Sequence, residues 1–277
     1  MPKTERVKRG IAVVPTLLTL GNGFCGFLAI SKMVDAITIG NGEGFTEKIL
    51  QAAWLIFLAM IFDALDGRVA RLTNQASDFG VQLDSLNDVV SFGVAPALLV
   101  KVVYEHALVE AGIPFNLKLT LLLSSLFVLC AILRLARFSL DTDASDTHGT
   151  FSGLPTPAAA ALLASAVFFL FEGGDSLGLK IGDPAVLILK RGFIFLPPLL
   201  GLLMICKIEY IHMVQRYVRG RKTFDYLALG LVCVFLVAFC NDWAIFLVGL
   251  LYVLSGPVMA CVRLARKPRG GGKQVGH

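Results

Sequence analysis

Eight apolar runs, at residues 11–33, 48–66, 86–105, 117–136, 154–172, 186–206, 226–240 and 242–263, occupy most of the 277-residue chain. A helix needs roughly 20 apolar residues to cross hydrocarbon, and in lipid every backbone N–H and C=O must be paired within the segment. The runs therefore predict an all-α, polytopic membrane bundle of about eight transmembrane helices, with a tight helical hairpin at 240–242. Composition agrees: 16% of residues are charged and 56% hydrophobic, where a soluble domain carries about a quarter charged. The basic opening M-P-K-T-E-R-V-K-R-G runs into the first apolar run without a small-residue cleavage site. That run reads as a first span, not a signal peptide.

Lys and Arg fix the expected orientation, because they collect on the cytoplasmic side of a membrane. With a cytoplasmic N-terminus and an even number of spans, both termini share that side. It then holds Lys3, Arg6, Lys8, Arg9, Arg68, Arg71, Arg134 and Arg137, and the basic residues of 207–222 and 263–273. The spans and the opposite side keep Lys32, Lys48, Lys101, Lys118, Lys180, Lys190 and Arg191. The net charge of +5 thus reads as orientation, and nucleic-acid binding is not expected. The run 216–222 could dock anionic lipids; anchoring explains it equally well. The six cysteines form no C-x-x-C pair and read as free thiols packed as small hydrophobes. The four histidines make no metal-ligand pattern. The acidic stretch 141–146 lacks the glycine and glutamate of a calcium loop and reads as a solvated loop.

Against this frame, residues 63–88 are anomalous. They read D-A-L-D-G-R-V-A-R-L-T-N-Q-A-S-D-F-G-V-Q-L-D-S-L-N-D and set Asp63, Asp66, Asp84 and Asp88 at the ends of two apolar runs. Ionisable groups beside a bilayer core are costly and by default functional. On a helix, Asp63, Asp66, Gly67, Ala70 and Arg71 share one face, as do Gly80, Asp84 and Asp88. The small residues leave room for a bulky ligand or another helix. Four converging carboxylates either take up protons or hold cations. Oxygen ligands without His or Cys favour a hard ion, Mg²⁺ or Mn²⁺, with Ca²⁺ as a further candidate. Two such ions bridged by carboxylates clamp a phosphoryl group during in-line transfer, and Arg71 is placed to bind phosphate oxygens. Capping a helix, or pairing with Arg68 and Arg71, would explain any single Asp. It does not explain four in register on two faces.

The pattern D-x2-D-G-x2-A-R-x8-G-x3-D-x3-D is filled at every fixed position by Asp63, Asp66, Gly67, Ala70, Arg71, Gly80, Asp84 and Asp88. It resembles the signature of the CDP-alcohol phosphotransferases, which move a phosphatidyl or related group from a CDP-linked donor to an alcohol and release CMP. The resemblance implies that Asp63, Asp66 and Asp84 hold metal ions. It implies Asp88 as the base for the acceptor hydroxyl, also in reach of the second metal. Donor contacts would come from Asp63, Asp66, Gly67, Ala70, Arg71, Ser77 and Gly80. Thr16 and Asn22, polar in the first run, are further donor-side candidates, although polar packing between helices accounts for them equally well.

Three other stretches look like the phosphatidylserine synthase branch of that family. They are P-T-L-L-T-L-G-N-G-F-C-G at 15–26, D-S-L-N-D-V-V-S-F-G-V-A-P at 84–96, and R-L-A-R-F at 134–138 with F-S-G-L-P-T-P-A-A-A at 151–160. With the signature they cover about the first 160 residues. The branch implies CDP-diacylglycerol as donor, L-serine as acceptor and a homodimer in the membrane. Serine brings a carboxylate, for which Arg134 and Arg137, one helical turn apart, are the candidates, Arg137 slightly preferred; anchoring at the interface would also explain them. The segment 153–157, G-L-P-T-P, could line the acceptor pocket or simply stiffen the entry to the fifth run. The expected layout is a single membrane domain over 1–277, with catalytic spans in 11–172 and additional spans in 186–263. A sister enzyme using glycerol phosphate or inositol phosphate would want a denser cationic pocket. A divalent-cation transporter would want its acids near the membrane midplane, and a purely structural scaffold would need no such cluster.

Overall fold

The computed structural model describes residues 3–40, 42–72, 78–143, 153–173, 192–206 and 242–266. Among them every regular element is helical. α1 (Lys3–Ile39) and α2 (Glu43–Leu72) come first. α3 (Asp78–Asp88) passes through a π turn (Val89–Val94) into α4 (Ala95–Glu110) without a break. α5 (Leu117–Asp143) follows, then α6 (Thr156–Phe168), which ends in a second π turn (Phe169–Gly173). A 3₁₀ turn (Phe193–Phe195) leads into α7 (Leu196–Ile205), and α8 is Asp242–Arg266.

Four stretches are long and apolar enough to cross a membrane: Val13–Ile39, Glu43–Ala70, Phe79–Glu110 and Leu117–Arg137. Thr156–Phe171, Phe193–Ile205 and Ile245–Met259 are shorter apolar helices. The expected eight spans thus stand at four full-length ones among the described residues. The run 226–240, the hairpin at 240–242 and residues 186–191 lie outside them. Several helices outrun the apolar runs that announced them. α3 begins at Asp78, not near 86, and α5 continues through Asp143 into the stretch expected to be a loop. Backbone hydrogen bonding carries a helix on past the point where its side chains turn polar.

The bundle wears its bulky apolar residues outside. Val13, Leu17, Leu20, Phe24 and Phe27 on α1, and Leu121, Leu122, Leu129 and Leu133 on α5, are all exposed. Asn22, Ser91, Thr156 and Ser165 are buried. That arrangement suits a lipid surround, where the outside is apolar and polar groups must find partners within. α1 and α2 make the most extensive helix pair. Their buried faces carry Ala29, Ala36, Ala52, Ala53 and Ala59 beside Met33, Ile49 and Ile56, and small residues let helix backbones approach closely. α6 packs against α2, α4 and α8, and α5 against α7. Cys25 and Cys130 are buried free thiols, and Cys206 is an exposed one. Because successive helices alternate in direction, α1 around Thr19 and Asn22, the last turns of α2, α3, α5 at Arg134 and the start of α6 at Thr156 meet toward one end of the bundle.

Candidate active site

That end gathers the carboxylates. Asp63 and Asp66 lie in the last three turns of α2, and Asp84 and Asp88 close α3. The π turn begins after Asp88, so Gly80, Asp84 and Asp88 keep a common face, and the offset that a π bulge introduces falls on α4. Asp63, Asp66 and Asp84 each present an oxygen, and these oxygens lie within 4.8 Å of one another. Asp66 is buried; Asp63 and Asp84 are half-buried. Asp66 Oδ2 and Asp84 Oδ1 are enclosed without a hydrogen-bond partner in the protein. Enclosed, unpartnered carboxylate oxygens drawn together are costly unless a cation shares them. An all-oxygen donor set of this kind fits a hard divalent ion. Capping does not account for these residues: three sit inside helices, and Asp88, at the head of the π turn, makes no side-chain capping bond.

Asp88 stands outside that group of three. It is 8% exposed, and its Oδ1 accepts a hydrogen bond from Asn22 Nδ2 at 2.9 Å. Asn22 is fully buried, and its own backbone carbonyl accepts from Ser91 Oγ at 2.9 Å. Close approach of α1 makes this geometry possible. A Cβ on Gly26 would fall 2.8 Å from Ser91 Cα, and one on Gly23 1.9 Å from Asn87 Oδ1. Thr16, Thr19 and Asn22 recur every third residue on α1. The buried Thr19 hydroxyl donates to the Pro15 carbonyl and stands beside Asp66.

On the other flank, Arg134 of α5 is half-buried. Its Nη1 donates to Thr156 Oγ1 at 2.7 Å, its Nε is enclosed without a partner, and it interacts electrostatically with Asp88. Arg137 is exposed. The segment 153–155 is clamped to the end of α7: Leu154 N–H donates to the Leu203 carbonyl at 3.1 Å. Of the residues singled out from sequence, Gly67, Ala70 and Gly80 are half-buried on the carboxylate-bearing turns, and Thr16 is half-buried on α1. Asn22, expected on the donor side, is bonded to Asp88. Ser77 and the side chain of Arg71 lie outside the described residues. Thr19, Ser91 and Thr156 were not anticipated. Thr19 fell between Thr16 and Asn22 at helical spacing, and Ser91 and Thr156 lay within stretches already marked.

A helical membrane bundle with acids gathered at one end, on the D-x2-D-G-x2-A-R-x8-G-x3-D-x3-D pattern, defines a class. The family model described as CDP-alcohol phosphatidyltransferase matches residues 12–196, and the chain belongs to that family. The match runs past residue 160, where the resemblance read from motifs stopped. The chain is similar to the CDP-diacylglycerol–serine O-phosphatidyltransferase of Helicobacter pylori, 34% identical over 201 residues, covering 71% of this chain and 70% of that one. It is similar to the enzyme of the same name from Saccharomyces cerevisiae, 38% identical over 162 residues, 56% and 54% of the two chains. The archaetidylserine synthase of Methanothermobacter thermautotrophicus is 36% identical over 167 residues, 60% and 61% of the two chains. No solved structure matches the chain.

Proposed function

We propose that the protein transfers a phosphatidyl group from CDP-diacylglycerol to the hydroxyl of L-serine and releases CMP. The observation that carries the reading is the gathering of four acids: three form a cation-sized group, while the fourth is hydrogen-bonded to Asn22 beside an enclosed arginine. Asp63, Asp66 and Asp84 would hold Mg²⁺ or Mn²⁺, which when bound offsets charge on the donor pyrophosphate. Asp88 takes the proton from the serine hydroxyl. The serine oxygen forms its bond to the lipid-side phosphorus, the bond to CMP breaks, and CMP leaves with the electron pair. Arg134, fixed by Thr156, receives the serine carboxylate. Gly67 and Ala70 leave the space against α2 into which the cytidine part of the donor fits, and Arg71 and Ser77 are its further proposed contacts.

The names of the similar proteins support serine, since the yeast, bacterial and archaeal relatives share that acceptor in name while the archaeal one differs in its lipid. The site faces the cytoplasm in this reading, with both termini on the same side. A cation transporter is disfavoured because the carboxylates lie toward the shared end of the spans Glu43–Ala70 and Phe79–Glu110 and not along a path through mid-span. The expected homodimer is checked by the mass of the purified protein in nanodiscs.

The test is CMP release by the purified protein in mixed micelles of CDP-diacylglycerol with Mg²⁺ or Mn²⁺. Release that requires L-serine supports the reading. Release with glycerol phosphate or inositol phosphate, and none with serine, sinks the serine assignment. Asp88→Asn should abolish turnover while CDP-diacylglycerol still binds; unchanged turnover removes Asp88 as the base.

A further inference from the structure

We propose that Asn22 is a positioning residue that fixes one oxygen of Asp88 and so aims the other at the acceptor hydroxyl. This rests on the reading of Asp88 as the base.

Asp88 lies one turn beyond Asp84 on the same face of α3. A carboxylate beside three others can turn toward any of several neighbours unless one of its oxygens is fixed. Asn22 supplies the restraint. Its Nδ2 donates to Asp88 Oδ1 at 2.9 Å, and the amide is 0% exposed, so water does not compete for the bond. One oxygen of Asp88 is thereby engaged, and the other is left for the acceptor hydroxyl.

Asn22 is itself anchored. Ser91, three residues past Asp88, donates its hydroxyl to the Asn22 backbone carbonyl at 2.9 Å. Gly23 and Gly26 bring α1 against Asn87 and Ser91 at distances no Cβ would permit. The amide also bears a cost that a packing residue would avoid. With its NH₂ turned to Asp88, its Oδ1 is enclosed without a partner. An apolar side chain of that size would fill the space without stranding a buried acceptor. The orphan oxygen is what the donor on Asp88 entails.

The experiment compares Asn22→Ala and Asn22→Leu with wild type and Asp88→Asn, all as full-length protein in nanodiscs. Two quantities are read: serine-dependent CMP release, and Mn²⁺ binding to the substrate-free protein by electron paramagnetic resonance. Asn22→Ala should lower kcat about 10- to 100-fold, the range over which the outer partners of functional ligands act. Its Mn²⁺ affinity should hold, because Asp63, Asp66 and Asp84 are untouched. A site that had merely collapsed would lose turnover and Mn²⁺ binding together, and that result overturns the proposal. A kcat within about twofold of wild type also overturns it. If Asn22→Ala does not fold, Asn22→Leu decides: it keeps the size and removes the donor, and wild-type turnover in it refutes the positioning role. Turnover surviving in Asp88→Asn would instead strike at the base assignment, so the two failures are told apart.

Discussion

Arg134 and Arg137 stand one turn apart on α5, yet their surroundings differ. Arg137 is exposed, whereas Arg134 is half-buried, bonded to Thr156 and left with an enclosed Nε. Enclosing a guanidinium costs desolvation that a neutral hydroxyl and the attraction of Asp88 repay only in part, since Nε keeps no partner. Such an arginine is kept where an anion arrives to complete it, and the serine carboxylate is the anion the proposed reaction brings. Helical spacing gives both the same credentials, with Arg137 slightly preferred from sequence; burial is what moves the proposed carboxylate contact to Arg134. Replacing Arg134 by Gln should raise the serine KM about 10- to 100-fold, the worth of a charge-assisted hydrogen bond. Lys restores part of the loss, since it keeps the charge without the planar fork. Thr156→Val, which removes only a neutral partner, should cost less than about tenfold. Steady-state kinetics with serine and CDP-diacylglycerol each varied at saturating levels of the other checks all three. A rise confined to the donor KM would move Arg134 to the nucleotide side.

Two close contacts between elements hold the site in shape, and each turns on a glycine. Gly153 has φ +102, and a Cβ there would fall 2.2 Å from the Met204 carbonyl oxygen. The Leu154–Leu203 hydrogen bond depends on the same approach, and it sets the entry to α6 from which Thr156 reaches Arg134. Gly153→Ala combines backbone strain of about 1–3 kcal/mol with a backbone clash. Gly112 has φ +64 with nothing within 4 Å, so Gly112→Ala bears strain alone. Thermal unfolding in detergent should rank Gly153→Ala well below Gly112→Ala; equal melting temperatures would show that 153–155 is not clamped to α7. Gly26→Ala acts at the other contact. Its Cβ, 2.8 Å from Ser91 Cα, forces α1 off the π turn and breaks the Asn22–Asp88 bond. Turnover should fall to the level of Asn22→Ala while CDP-diacylglycerol binding persists, which a ligand-protection melt would read.

At the scale of the whole molecule, what the sequence made legible was whatever rests on period and composition. The apolar runs announced the helices, and the i, i+4, i+8 spacing of Gly80, Asp84 and Asp88 survived because the π turn starts one residue later. Helix ends and cross-helix partners were not legible. Nothing local to Asn22 says that Asp88, 66 positions away, will accept its amide, nor that Thr156 will meet Arg134. Those contacts come from tertiary approach, which spacing along one helix does not encode. Orientation is legible in principle, through the bias of Lys and Arg, and it makes a test of the entire bundle. If the carboxylate end faces the cytoplasm, Leu72, exposed at the end of α2, is on the inside, and Glu110, exposed at the end of α4, is on the outside. Leu72→Cys and Glu110→Cys would each be placed in a chain whose native cysteines are replaced by serine or alanine. A membrane-impermeant maleimide applied to intact cells should label Glu110→Cys at once, and Leu72→Cys only after permeabilisation. The reverse pattern would put the site on the outer face, away from a cytoplasmic supply of serine and CDP-linked donor. Labelling of both in intact cells would mean that α3 and α4 do not carry the chain across as one span, despite the unbroken helix through the π turn.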